Sequence, residues 1–231
     1  MKNFDLSLVI PFFNEEGNIE NVYKKIKQAL DGNLSYQLVM VDNGSSDNTA
    51  RILKHLSKDD RRIKIVTVKK NIGYGFGIVS GLNSADGEII GWTDGDDTIN
   101  PNSYFSLYRK MKEEGCDAGL SERTDRGQTT YRKIASFWYN TLLFIMYMKN
   151  FRDVNAKPKM IKKTAYSTFN LKSKDWFVDT EFFINVYKKK LKICRILTVA
   201  GERKKGKSTV RRSTIVEFLK NAISYRFFSK V

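Results

Sequence analysis

"YQLVMVDNGSSDNTARIL", residues Tyr36 to Leu53, contains the fold in miniature. Its first seven residues are mostly apolar and β-prone with little alternation, as expected of a strand covered on both faces. A polar loop with Gly44 and two serines follows. Thr49, Ile52, Leu53 and, further on, Leu56 then recur on one helical face. The stretch is one strand, loop and helix unit. Its neighbours repeat the pattern: "LSLVIP" (Leu6 to Pro11), "IKIVTV" (Ile63 to Val68) and "EIIGWTD" (Glu88 to Asp94) read as buried strands, and Ile19, Val22, Tyr23, Ile26 and Leu30 share a helix face. The order βαβαβαβ predicts an open parallel sheet with right-handed crossovers, and ligands of such sheets lie beyond the carboxyl ends of the strands.

Every unusual polar cluster of the first hundred residues falls at such an end: "PFFNEE", "DNGSSDNT", "KKNIGYGFG" and "TDGDDTINP". Taken singly, each has a bland reading, with Asp47 and Thr49 as helix caps and Gly73, Gly75 and Gly77 as turn glycines. Together they predict one functional rim. The last loop is acidic in a chain of net charge +16. Asp94 and Asp96, separated by Gly95, can turn toward one hard cation, and Mg²⁺ or Mn²⁺ suits such oxygen donors while keeping positions for water and phosphate. The acid would gather a divalent ion, which would neutralise a diphosphate leaving group, and the small Gly95 would let that diphosphate approach the backbone.

With 231 residues, 41% hydrophobic and 13% aromatic, the chain can bury a full α/β core, and a disordered polar tail is excluded as its general description. After residue 100 the pattern predicts a helix from about Asn102 to Glu114, a strand near "CDAGL", a helix in "WFVDTEFFINVYKKK" and a strand in "LKICRILTV". Ile215, Phe218, Leu219, Ala222 and Ile223 then recur at helical spacing, so the expected division is a domain over 1–210 and an amphipathic helix over 211–231. Cys116 and Cys194 are far apart and lack metal-ligand spacing, which predicts two structural thiols in a reducing compartment. His55, beside Lys54 and Lys58, reads as a surface residue.

The positive charge sits in the second half, in "KNFRDVNAKPKMIKK" (Lys149 to Lys163) and "RKKGKSTVRR" (Arg203 to Arg212). Either run is a solvated face or a site for something anionic: nucleic acid, phospholipid headgroups or a phosphorylated substrate. A nucleic-acid binder needs basic and aromatic side chains along one groove. The richest cluster here is acidic, and Trp92, Trp138 and Trp176 show no stacking pattern, so nucleic acid is not the expected partner. The N-terminus lacks a secretory h-region, and "IASFWYNTLLFIMYM" (Ile134 to Met148) falls short of the roughly 18 to 20 apolar residues of a spanning helix. The expectation is a cytoplasmic protein, peripheral at a membrane through its basic half, its aromatic segment and the tail with Phe227 and Phe228.

"SLVIPFFNEEGNIE", "VMVDNGSSDNTARIL", "NIGYGFGIVSGL" and "GWTDGDDTINP", in that order and spacing, resemble the nucleotide-sugar-binding half of family 2 glycosyltransferases, which have the GT-A fold. "RKIAS", "FVDTEFFINVYKKKLKI" and "ERKKGKST" resemble the dolichol- and polyprenyl-phosphate sugar transferases within that group. The resemblance implies that Pro11, Phe13, Glu15 and Asp42 line the nucleoside pocket, that Asp94, Gly95 and Asp96 meet the nucleotide and its metal, and that Arg123, Arg132 and Ser136 surround an acceptor phosphate. It gives Arg203 to a loop closing over the donor. Here the usual double aspartate after the second strand is Asp42-Asn43. Thr98 stands where a glutamine often assists the metal, and Ser208-Thr209 replaces the usual Ser-Lys, leaving Lys207 to supply the charge. The Q-x-x-R-W signature of processive synthases is absent. The implied activity is inverting, metal-dependent transfer of a sugar from a UDP- or GDP-sugar to a polyprenyl or dolichyl phosphate, with a glycan hydroxyl as the alternative acceptor. A lipid phosphate needs orientation by Arg123 and Arg132, whereas a hydroxyl needs a general base. Asp179 or Glu181 is the candidate for that base, each equally readable as a solvated helix acid. A homo-oligomer or an anchoring partner are further expectations.

Overall fold

The computed structural model describes residues 4–124, 141, 143–199 and 225. β1 (Leu6–Phe12), β2 (Tyr36–Asp42), β3 (Ile63–Thr67) and β4 (Ile89–Trp92) alternate with α1 (Ile19–Leu30), α2 (Thr49–Asp59) and α3 (Tyr74–Leu82). α4 (Asn102–Glu114), β5 (Ala118–Arg123), β6 (Lys159–Lys162), the short α5 (Lys163–Tyr166), α6 (Val178–Lys188) and β7 (Ile193–Thr198) follow. The described strands form one sheet in the order β3-β2-β1-β4-β6-β5-β7. β1 to β4 pair in parallel, β6 runs antiparallel to both its neighbours, and β7 lies parallel to β5. Winding from β1 out to β3 and back to β4 leaves a crevice at the carboxyl ends of β1 and β4, where open α/β sheets bind ligands.

All residues of β1 and β2 are buried, which is why their sequences barely alternate. The two faces still divide by period two. Leu6, Leu8, Ile10 and Phe12 pack with Ile19, Val22 and Ile26 of α1 and with Leu107 and Met111 of α4. Val9 packs on the other face with Ile78 and Leu82 of α3, Trp92 of β4 and Phe182 of α6. Phe12 lies opposite Asp42 in the β1–β2 register, so those two strands end level and deliver their loops to one rim.

Two expectations need correction. Cys116 and Cys194 are not separate thiols but a disulfide, with Cα atoms 5.8 Å apart. Seventy-eight residues separate them in sequence, yet the parallel pairing of β5 with β7 brings the approach to β5 beside β7, a contact no local pattern reveals. The argument for a reducing compartment loses its basis with it. The run 149–163 is not a continuous solvated face either, although Lys149, Arg152 and Lys163 are exposed. It contains β6, and Lys157 and Lys159 are almost fully buried. Among the described residues, no helix is long and apolar enough to cross a membrane. Of the tail helix expected over 211–231, only Tyr225 is among the described residues.

Candidate active site

The loops after β1 and β2 are stitched into one wall. Asn14, in the left-handed region at φ 54°, accepts the Ser46 amide at 2.8 Å and donates its own amide to Ser45 Oγ. The Glu16 amide donates to Asp47, and Glu16 in turn accepts the Asn48 amide at 2.9 Å. Asp47 also accepts the Thr49 amide at the start of α2. Against its partial desolvation, bonds from Thr49 and backbone amides hold its carboxyl below the usual range. Glu15 donates its amide to Thr49 Oγ1 and accepts from Asn18 Nδ2. Asp42 is buried at the floor and accepts the Ser45 amide at 3.0 Å. Pro11 lies in buried β1, whereas Phe13 is 36% exposed and presents an apolar face at the rim. Pro11, Phe13, Glu15 and Asp42 therefore do share one edge of the sheet.

The acidic loop after β4 sorts its three carboxylates into different environments. Asp97, in the left-handed region at φ 64°, turns back onto α1, where Asn21 Nδ2 and Lys25 Nζ donate to it, the latter at 2.7 Å. It is a structural anchor. Asp94 and Asp96 are half-buried on the strand-end side. Asp94 Oδ1 accepts the Tyr74 hydroxyl at 2.7 Å, and Asp96 Oδ1 accepts the Thr98 hydroxyl at 2.7 Å together with its amide. Gly95 has a packing role as well. A Cβ there would lie 2.7 Å from the Pro11 carbonyl and the Phe12 ring, so glycine lets the loop press onto β1. At the loop before α3, Gly73 has φ +131° and lies against the Lys174 carbonyl.

Across the crevice, β6 and the first turn of α6 build a buried ionic cluster. Asp179, with no exposed surface, accepts Lys157 Nζ and Lys159 Nζ at 2.8 Å each and the Trp92 indole N–H at 3.2 Å. Desolvation opposes its ionisation, but the two ammonium charges outweigh it and keep the carboxyl below the usual range. Desolvation also dominates at Lys159; Asp179 offsets it in part, Lys157 adds to it, and the group falls to about 7. At Lys157 desolvation is exceeded by the charges of Asp179 and Asp94, and the group stays above its ordinary value. Lys157 Nζ also lies 5.6 Å from the Tyr74 ring centroid, and that ring stacks on Trp176 at 4.1 Å. Glu181 is buried as well and accepts the amides of Lys172 and Ser173. Neither acid is a solvated helix residue. Asp179 is held ionised by three donors, an environment that disfavours proton acceptance.

This rim is matched by a known family: the sequence profile described as "Glycosyl transferase family 2" covers residues 7–177, from β1 through the approach to α6. The chain belongs to glycosyl transferase family 2. Its relatives include YkcC of Bacillus subtilis (strain 168), called a glycosyltransferase, 30% identical over 77% of this chain and 55% of its own length. An undecaprenyl-phosphate 4-deoxy-4-formamido-L-arabinose transferase of Proteus mirabilis (strain HI4320) is 31% identical over 60% of this chain and 43% of its own. This chain thus spans about half the length of these curated relatives. Among solved structures, glucosyl-3-phosphoglycerate synthase of Mycobacterium tuberculosis, with Mn²⁺, UDP-glucose and phosphoglyceric acid, superposes with a TM-score of 0.75 at 18% identity, over 96% of this chain and 79% of that one. The shared architecture is the GT-A glycosyltransferase fold.

In this family 2 glycosyltransferase, Arg123 ends β5 with its guanidinium paired to Asp153, whose carboxylate also accepts the Arg123 amide at 2.8 Å. It is held in place, at the same strand-end edge as Lys159. Arg132, Ser136 and Arg203, and Lys207 beside it, lie outside the described residues. Sequence reasoning missed Tyr74, Lys157, Lys159 and the bonded role of Trp92. The one available signal was the spacing of Lys157, Lys159 and Ile161 in "AKPKMIKK", a period of two that puts both lysines on one side of a strand.

Proposed function

We propose that this glycosyltransferase moves a sugar from a nucleoside-diphosphate donor to a polyprenyl phosphate, with inversion at the anomeric carbon. The observation that carries the choice of acceptor is the state of Asp179 and Glu181. Both carboxylates that could deprotonate a hydroxyl are buried and bonded, while a phosphate monoester is already anionic near neutral pH and needs only to be oriented. The Proteus relative, whose name gives undecaprenyl phosphate, supports the same choice.

The residues present fit a divalent ion as a two-carboxylate half-site. Asp94 Oδ2 accepts no hydrogen bond from the described residues, and the Tyr74 and Thr98 hydroxyls that donate to Asp94 and Asp96 orient these carboxylates without neutralising them. No third acid joins them among the described residues, so the other positions fall to diphosphate oxygens and water, as Mg²⁺ commonly arranges. When bound, the ion would stabilise the charge growing on the departing diphosphate. Asp94 and Asp96 would hold it, Asp42, Glu15 and Phe13 would seat the nucleoside, and Arg123, braced by Asp153, would orient the acceptor phosphate. The phosphate oxygen attacks the anomeric carbon, the bond from that carbon to the diphosphate breaks, and a nucleoside diphosphate leaves.

Membrane docking is part of the reading, because a polyprenyl tail resides in a bilayer. Phe144, Ile145 and Met148 are exposed, and so are Lys149 and Arg152 beside them, an apolar and basic edge suited to an anionic surface. The test is transfer of labelled sugar from UDP- and GDP-sugars with Mn²⁺ into lipid extracts containing a polyprenyl monophosphate. Label in the lipid phase with one donor is the expected result. Transfer only to water-soluble hydroxyl acceptors would overturn the acceptor assignment.

A further inference from the structure

We propose that Tyr74 is a positioning residue for the Asp94 carboxylate, fixing which of its oxygens faces the cation and diphosphate. Asp94 lies two residues beyond β4 in a loop, and a carboxylate free to turn about its Cβ–Cγ bond has no preferred face unless something holds it. The Tyr74 hydroxyl supplies that hold, donating to Oδ1 at 2.7 Å and leaving Oδ2 without a partner among the described residues. The phenol is itself immobilised on two sides. Its ring stacks on Trp176 with an interplanar angle of 12°, and Lys157 Nζ lies over it at 5.6 Å. Lys157 is in turn fixed by Asp179, which also takes the indole N–H of Trp92, on the strand that leads into Asp94. Tyr74 opens α3, and Gly73 and Gly75 before and after it pack against the carbonyls of Lys174 and of Ser173 and Asp175. The donor-side carboxylate is thereby tied to the segment entering α6. Partners that orient a metal ligand typically change metal affinity by about 10–100-fold when removed.

This inference rests on the two-carboxylate reading of Asp94 and Asp96 above. The variant Tyr74→Phe deletes one hydroxyl and keeps the ring for the Trp176 stack. Binding of Mn²⁺ to the full chain, in the presence of UDP or GDP, is followed by loss of the free Mn²⁺ paramagnetic signal, and thermal melting is recorded alongside. Tyr74→Phe is expected to weaken Mn²⁺ binding about tenfold or more with an unchanged melting temperature. Asp94→Asn and Asp96→Asn serve as reference variants. If both abolish Mn²⁺ binding and Tyr74→Phe binds like the unaltered chain, the role given to Tyr74 is wrong and the metal site stands. If neither changes Mn²⁺ binding, the metal reading fails first. A Tyr74→Phe chain that melts early would trace the effect to packing; Trp176→Phe, which keeps an aromatic partner and the hydroxyl, must then bind Mn²⁺ normally, and weakened binding there would overturn the proposal.

Discussion

The acids at the end of β4 and the acid at the start of α6 face each other across the crevice, and their surroundings are opposite. Asp94 and Asp96 are half-buried and held by the hydroxyls of Tyr74 and Thr98. Asp179 is sealed from solvent and held by two ammonium groups and an indole. Hydroxyls steer a carboxylate without neutralising it, so the Tyr74 bond leaves the charge of Asp94 in place, as the proposed cation site requires. Ammonium groups consume the charge, so the second acid serves as a bolt between β4, β6 and α6. Finding an acid at the rim therefore says little about its task; the partner decides it.

The largest effect should come from breaking the bolt. Asp179→Ala leaves two buried ammonium groups uncompensated and is expected to cost about 3–5 kcal/mol of stability, read as a large drop in the urea midpoint. A midpoint like that of the unaltered chain would erase the contrast. Asp96→Ala should do the reverse, with melting unchanged and turnover reduced on the order of a thousandfold, since several kcal/mol of transition-state stabilisation are lost. Retained turnover in metal-containing buffer would remove Asp96 from the chemistry. Gly95→Ala, which drives a methyl group into Phe12 and the Pro11 carbonyl, should destabilise by about 1–3 kcal/mol and displace both flanking carboxylates. Nucleotide binding that is unaffected would separate loop packing from the site.

A further test concerns pH. Lys159 holds its proton only up to about 7 in the folded chain, against 10.5 for a free lysine. Between those values the unfolded chain binds the additional proton, so this group makes stability rise with pH across that window and adds a constant penalty below it. Denaturation midpoints of the unaltered chain should climb from pH 7 toward pH 10, and those of Lys159→Met should climb less. Parallel curves would show that the buried cluster keeps both lysines charged.

Much of the rim built by the first four strands was legible in the sequence. The apolar runs of β1 and β2, the helix faces of α1 and α2, and the convergence of four loops all follow from local patterns, because each strand, loop and helix is contiguous in sequence. The side built by β6 and the start of α6 was not. β6 is short, antiparallel and carries lysines where a strand buried on both faces carries apolar residues, so "AKPKMIKK" read as surface charge. Tyr74 was hidden for a related reason: its partner Asp94 is twenty residues away, with a strand between.

The order of elements over the first hundred residues, the class of fold, the place of the rim and the residue types gathered there were determined by sequence alone, since periodicity and turn chemistry act over a few residues at a time. Only the tertiary structure decided which acids are spoken for, that Cys116 meets Cys194, and that two lysines of a basic run are interior. Those outcomes depend on which distant groups share a low-dielectric space, where a partner's charge outweighs any intrinsic preference of the side chain.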